Sequence, residues 1–316
     1  MNRMHVRLKE EFWMDTLSLD QFKDRFYSED VCADYLFKMK WPNGFVCPKC
    51  SHRHFYHITT RRLPLYECAG CHHQTSLTVD TIMEGSRTPL QKWFTAIFLA
   101  SRPSSGINAV QLKDIIQVTY KTAWLILHKI RLAMSESDAT HLLSGMVQVH
   151  DACYGHPYNI THKTHPKEHF LLVGTSLDEQ KQPTYIKMKL LMESPREKHI
   201  STPETKAFAE RYIETKDTNV EYITQRLKPR RLKMGYPYFK KASRWINDTF
   251  HGLGVRHLQA YLDEFCYRVN RALDQAPIFQ GLIQLCATTK KANYWEITGR
   301  RRKKKKSNLM QWVNQG

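Results

Sequence analysis

Cys47-Pro48-Lys49-Cys50 and Cys68-Ala69-Gly70-Cys71 are the two stretches that decide how the first quarter of this chain folds, and seventeen residues separate them. Two C-x-x-C knuckles at this separation can close four thiolates around one tetrahedral Zn²⁺. Four thiolates leave no open coordination position, so the metal read from Cys47, Cys50, Cys68 and Cys71 is structural. His52, His54, His72 and His73 stand nearby as rival ligands. Between the knuckles, FYHITTRR and LPLYEC alternate enough to form hairpin strands, which makes Phe45 to Thr78 a zinc ribbon.

Before the ribbon, residues 18 to 39 read as helices, with Ser18 as a cap and Phe22, Phe26, Cys32, Tyr35, Leu36 and Met39 at near-helical spacing. Trp41-Pro42-Asn43-Gly44 is turn chemistry. After the ribbon, LQKWFTAIFLA is an apolar helix. INAVQLKDII and TYKTAWLILHKIRLAM then form two helices across a tight gap, with Thr119 as N-cap of the second. Tyr120, Ala123, Trp124, Leu127, Ile130 and Met134 make one apolar stripe. Lys121, Thr122, Lys129 and Arg131 are left for the surface, as DNA-binding candidates. The pair suits a helix-turn-helix, although simple helical hairpins look the same.

Ser135 to Met146 reads as a linker. VQVHDACYG, HFLLVGTSL and PTYIKMKLLM are three consecutive strands, STPETKAFAERYIET a helix, and TNVEYIT a fourth strand. This order suits an RNase H-like mixed sheet. VRHLQAYLDEFCYRVNRAL closes the pattern as an amphipathic helix, with Glu264 and Arg268 at i,i+4 on its other face. Asp263 and Glu264 read as surface ion-pair residues. The fold class is therefore α/β plus a small zinc ribbon. Its expected segments are 17–88 for helices and ribbon, 89–134 for the helix-turn-helix, 146–298 for the RNase H-like domain, and 299–316 for a basic disordered tail.

Of 316 residues, 48 are Lys or Arg and 30 are Asp or Glu, a net charge of +18. That excess favours a polyanionic partner through counterion release. Seven cations form one run, Arg300 to Lys306. No apolar run is long enough for a membrane span, and MNRMHVRLKEEFW lacks the apolar segment of a secretory signal. A cytoplasmic address follows. Eight cysteines in a reducing compartment do not imply disulfides. Cys32, Cys153, Cys266 and Cys286 read as small buried hydrophobes.

The strings YLFKMKWPNGFVCPKC, RTPLQKWFTAIFLASR, YKTAWLILHKIR and TFHGLGVRHLQAYLDEFCYRVNR resemble the zinc-ribbon insertion-sequence transposases of bacteria, the ISXO-like group, over roughly residues 17 to 298. The resemblance implies binding to terminal inverted repeats and target DNA, work as a homo-oligomer on paired ends, and a nucleoid-associated location. It also implies a retroviral-integrase-like domain in which three acidic or amide residues hold two Mg²⁺ or Mn²⁺ ions for strand cleavage and transfer.

The chain departs from that pattern at each metal position. His150 stands where the first Asp is expected. Its neighbour Asp151 points to the opposite face of a strand unless the register slips by one. For the second ligand two alignments compete: Asp217, or Tyr222 with Glu221 beside it. Counting to the third reaches Lys241, while Asn247 and Asp248 match the turn before TFHG. The catalytic candidates are thus His150, Asp151, Asp217 and Glu221, in a centre that reads as degenerate.

Overall fold

The structure, a computed structural model, describes residues 15–102, 106–155, 167–191, 202–223 and 233–298. The Arg300–Lys306 run lies outside them. Helices α1 (Leu19–Arg25) and α2 (Glu29–Lys40) begin at serine caps. Ser18 and Gln21 exchange hydrogen bonds of 2.9 and 3.2 Å, satisfying two N–H groups that a helix end leaves without partners. The ribbon follows as an antiparallel sheet of β1 (Phe55–Ile58), β2 (Leu65–Cys68) and β3 (Gln74–Ser76), the last strand unread in the sequence. Next come α3 (Leu90–Ser101), α4 (Ala109–Ile116) and α5 (Tyr120–Thr140). Gln117 at φ +50° turns the chain between α4 and α5, and the Thr119 hydroxyl accepts from the Thr122 N–H at 3.2 Å.

These elements share one apolar core, and a helix from the far end of the chain completes it. Helix α9 (Ile278–Thr288) inserts Phe279 edge-on to Phe22 at 5.2 Å, while Phe22 stacks on Phe98 at 4.2 Å. Pro277 cannot cap α9 with its side chain. The Asp15 carboxylate does so instead, accepting from the Ile278 and Phe279 N–H groups at 2.7 and 3.0 Å. The C-terminal helix thus packs with the N-terminal elements, although chain order alone assigns it to the sheet domain.

The second unit is a four-stranded sheet of β4 (Met146–Tyr154), β5 (His169–Leu177), β6 (Pro183–Leu190) and β7 (Asn219–Ile223), in the order β6-β5-β4-β7. The first three strands are antiparallel neighbours, and β7 runs parallel to β4. Helix α6 (Thr202–Tyr212) makes the crossover that a parallel pair requires. Val147 and Val149 pack with Phe208 on the α6 side. Ala152 and Tyr154 pack on the other face with α7 (Tyr236–Phe250) and α8 (Val255–Leu273). No helix among the described residues is long and apolar enough to cross a membrane.

A buried ionic seam joins α5, β6 and α8. Asp138 meets Lys187 at 3.0 Å and Lys189 at 2.6 Å, Lys189 meets Asp263 at 2.7 Å, and Arg131 meets Glu264 at 2.6 Å. Four sequence expectations change here. Ser135–Thr140 is the last part of α5 rather than a linker, because Asp138 is drawn into the seam. Asp263 and Glu264 are buried, 4% and 1% exposed, rather than surface pairs. Arg131 is 2% exposed and lies over the Tyr261 ring at 3.9 Å. Lys129 is also buried and donates to the Ile82 carbonyl at 2.8 Å. Neither Lys129 nor Arg131 is therefore available on the surface as a DNA contact, because α5 is covered along most of its length by other elements. Removing the shared carboxylate leaves Lys187 buried without its counter-charge. Asp138→Ala is expected to lower stability by about 3–5 kcal/mol in urea unfolding; a loss under about 1 kcal/mol would show that the seam is not under electrostatic load.

Candidate functional site

The metal centre is built from two matching knuckles. In the first, the Cys47 N–H donates to the His52 carbonyl and the Ser51 N–H to the Cys47 carbonyl, both at 2.9 Å. In the second, the Cys68 N–H donates to the His73 carbonyl and the His72 N–H to the Cys68 carbonyl, both at 3.0 Å. Ser51 and His72, each just after its second cysteine, take the left-handed conformation at φ +61° and +55°. This is where the chain must turn back to aim both thiols at one point. Cys47 and Cys71 Sγ lie 3.7 Å apart, Cys50 and Cys68 Sγ 3.5 Å, and all four within 4.8 Å of one another. A tetrahedron with Zn–S bonds of about 2.3 Å has edges of about 3.8 Å, so the four thiolates fit Zn²⁺. The nearby histidines are not needed: His52 and His73 supply main-chain carbonyls to the knuckles.

The second candidate centre does not assemble. The Cys₄ set is the single group of three or more His, Cys, Asp or Glu ligands close enough for one ion among the described residues. His150 is fully buried on β4. Its Nδ1 donates to the Asp151 carbonyl at 2.9 Å, and its Nε2 has no hydrogen-bond partner among the described residues. A Cβ added to Gly235 would lie 2.9 Å from that Nε2, so the start of α7 packs against the ring at a distance only glycine permits. Burial pushes the His150 pKa down to about 4, which leaves the ring neutral at neutral pH.

Asp151 is engaged elsewhere. Register places it opposite Leu172 without a slip, one residue past the last β4–β7 pair, His150 with Ile223. Lys233 Nζ lies 2.5 Å from its Oδ1 and takes the position of a cation. Glu221 pairs with Gln148 in the ladder, and its carboxylate accepts from the Gln148 side-chain amide at 2.9 Å. Asp217 is a turn residue at φ +53° before β7 begins. It lies outside β7, at the opposite end of that strand from the His150–Ile223 pair. Residues Lys241, Asn247 and Asp248 fall on α7, where Asn247 accepts from the Tyr154 hydroxyl at 2.9 Å. This donor set does not fit a pair of Mg²⁺ or Mn²⁺ ions.

One surface feature went unread in the sequence. A cleft of about 600 Å³ between the start of α4 and α7 is lined by Asn108, Gln111, Lys241, Arg244, Asp248 and His251 among others. Its floor is fixed by Trp245, which sits so close to Gly106 that a Cβ there would lie 2.4 Å from the indole nitrogen. At the start of α5, Lys121 is exposed and Thr122 half-buried.

Residues 27–74 match the model of a transposase zinc-ribbon domain. The matched region contains α2, both strands of the first hairpin and all four cysteines. A stretch of 100 residues is 32% identical to an uncharacterized protein in the transposable element ISH50 of Halobacterium salinarum. It covers 31% of this chain and 33% of that protein, so about a third of the relative's length is matched. The chain thus carries a zinc ribbon of the transposase type. The metal assignment has a direct readout. Purified protein is expected to hold one zinc per chain by elemental analysis, and Cys68→Ser is expected to lose it along with the ribbon's protection from proteolysis. Full zinc content in that variant would remove Cys68 from the ligand set.

Proposed function

We propose that this chain is an insertion-sequence transposase by descent, with an RNase H-like sheet, that binds DNA without a working two-metal centre. The observation that carries the first half is the transposase-type ribbon at residues 27–74, set in a chain of net charge +18. The sheet order β6-β5-β4-β7, with the first three strands antiparallel and the fourth parallel to β4, supports the RNase H-like reading. Helices α4 and α5 are read as the helix-turn-helix, with Lys121 and Thr122 at its exposed start. The proposed partner is duplex DNA at terminal inverted repeats, with target DNA and a second copy of the chain as further partners.

The observation behind the second half is the pairing of Lys233 with Asp151, beside a His150 whose two ring nitrogens are a bonded donor and an enclosed acceptor. Phosphodiester transfer by two metals needs carboxylates that converge on both ions. The role left is occupation of the element's ends, as a repressor or an immobile remnant.

The full-length zinc-loaded protein is expected to bind duplex DNA with an affinity that falls steeply between about 50 and 200 mM salt, read by anisotropy. Cleavage of the same DNA in Mg²⁺ or Mn²⁺ is expected to stay at background on gels; robust metal-dependent nicking would overturn the proposal. His150→Asp adds a carboxylate beside the closed backbone of Gly235 and leaves Lys233 in place, so it is expected to restore no cleavage. Activity in that variant would mean the remaining ligands do converge.

A further inference from the structure

The most distinctive unassigned feature is a small pocket where the first turns of α5 and α8 meet α10 (Tyr294–Thr298). Its volume is about 280 Å³, and Tyr120, Lys121, Trp124, Arg256, His257 and Tyr294 line it. None of its described lining residues is acidic. Four flat rings and two permanent cations therefore face one small space.

The rings are arranged as walls rather than as a packed cluster. Trp124 meets Tyr294 edge-on at 6.5 Å and His257 edge-on at 5.6 Å. The Lys121 ammonium lies 5.4 Å from the Tyr294 ring centre. Tyr120 remains 53% exposed at the rim. Behind them, His128 is 4% exposed, lies 3.9 Å from the Trp124 ring and 5.0 Å from His257, and has an Nε2 with no partner among the described residues. Burial keeps that imidazole uncharged, so it stiffens the wall without adding to its charge.

The charges lie at helix starts. Gly254 begins α8 without a side-chain cap, and neither α5 nor α8 has an acidic residue in its first turn. The positive ends of two helix dipoles, with Lys121 and Arg256 beside them, favour an anion at the mouth. An anion next to an aromatic slot is the chemistry of a nucleotide: phosphate at the mouth and base against the rings. Aromatic faces reach a base only after it has left the duplex stack. The cation run of the sequence begins two residues after Thr298, which also lines the pocket.

We infer that this pocket takes one unpaired nucleotide of a DNA strand, stacked against Trp124 and Tyr294 with its phosphate at Lys121 and Arg256. The inference rests on the DNA-binding reading above and deepens it by naming a site for single-stranded DNA. It is tested on the full-length zinc-loaded chain by anisotropy, with a labelled 15-nucleotide oligothymidylate and a labelled 15-base-pair duplex at one salt concentration. Tyr294→Ala is expected to weaken single-strand binding about tenfold or more, the size of one base–aromatic stack, and Arg256→Ala, which removes a phosphate contact, about fivefold or more. Duplex affinity is expected to change less than about twofold. Arg256 is exposed, so its variant keeps the test decisive if Tyr294→Ala loses zinc or structure. Free thymidine monophosphate is expected to compete only weakly; competition equal to that of the oligonucleotide would overturn a strand site in favour of a free-nucleotide site. Unchanged single-strand affinity in both variants, or an equal fall for both DNA forms, overturns the inference while leaving the DNA-binding reading in place. A parent protein that binds neither form would instead sink the DNA-binding reading itself.

Discussion

Asp138 holds two lysines of β6 from the end of α5, at the centre of the buried seam by which the two halves of the molecule meet. Helix α5 begins in the N-terminal core and ends against the sheet. Helix α8 runs alongside it and supplies Asp263 and Glu264 to the same seam. Burial works against the charge on Lys189, yet Asp263 and Asp138 outweigh it and hold that pKa above its ordinary value. At Lys187 burial wins over the same Asp138, and its pKa falls. One carboxylate cannot compensate two buried ammoniums equally. Such seams contribute little net stability, but they penalise any other placement of the helices strongly. Their effect is to fix how the ribbon-bearing core sits on the sheet.

That fixed placement decides what β4 can do. With Val147 and Val149 committed to the α6 side, His150 must face α7, and the start of α7 closes over it. Gln148, on the same face, is tied on both sides: its amide donates to Glu221 and its oxygen accepts from the Met234 N–H at 2.7 Å. Lys233 then reaches Asp151. The segment 233–235 therefore meets β4 at Gln148, His150 and Asp151, with a main-chain N–H on the first, close packing at the second and an ammonium on the third. A centre for divalent ions would need open carboxylates converging at one point of this strand.

Local signals were legible. The C-x-x-C spacing, the helix caps at Ser18 and Thr119, the four strands of the main sheet and the whole of α8 follow from periodicity and turn chemistry. What the sequence could not disclose depends on distant partners. Lys129 and Arg131 read as surface cations because helical spacing shows one stripe, while α5 is covered on more than that face, and Arg131 finds Glu264 from 133 residues away. Helix α9 gave no sign that its cap would be Asp15. His150 was readable as a departure from the pattern the resemblance implies, but the packing of Gly235 against it and the pairing of Lys233 with Asp151 were not, because neither residue carries a motif. The nucleotide-sized pocket escaped for a similar reason: Lys121, Arg256 and Tyr294 are ordinary residues until three helices bring them together.

The central claim is that the ribbon keeps its metal while the sheet has lost the means to bind one. Electron paramagnetic resonance of Mn²⁺ added to the full-length zinc-loaded protein, alone and with duplex DNA, measures this directly. The account predicts that adding protein removes no more of the free Mn²⁺ signal than buffer, or the same DNA without protein, removes, with zinc unchanged at one per chain. Loss of that signal on adding protein, saturating near two Mn²⁺ per chain without displacing zinc, would contradict it.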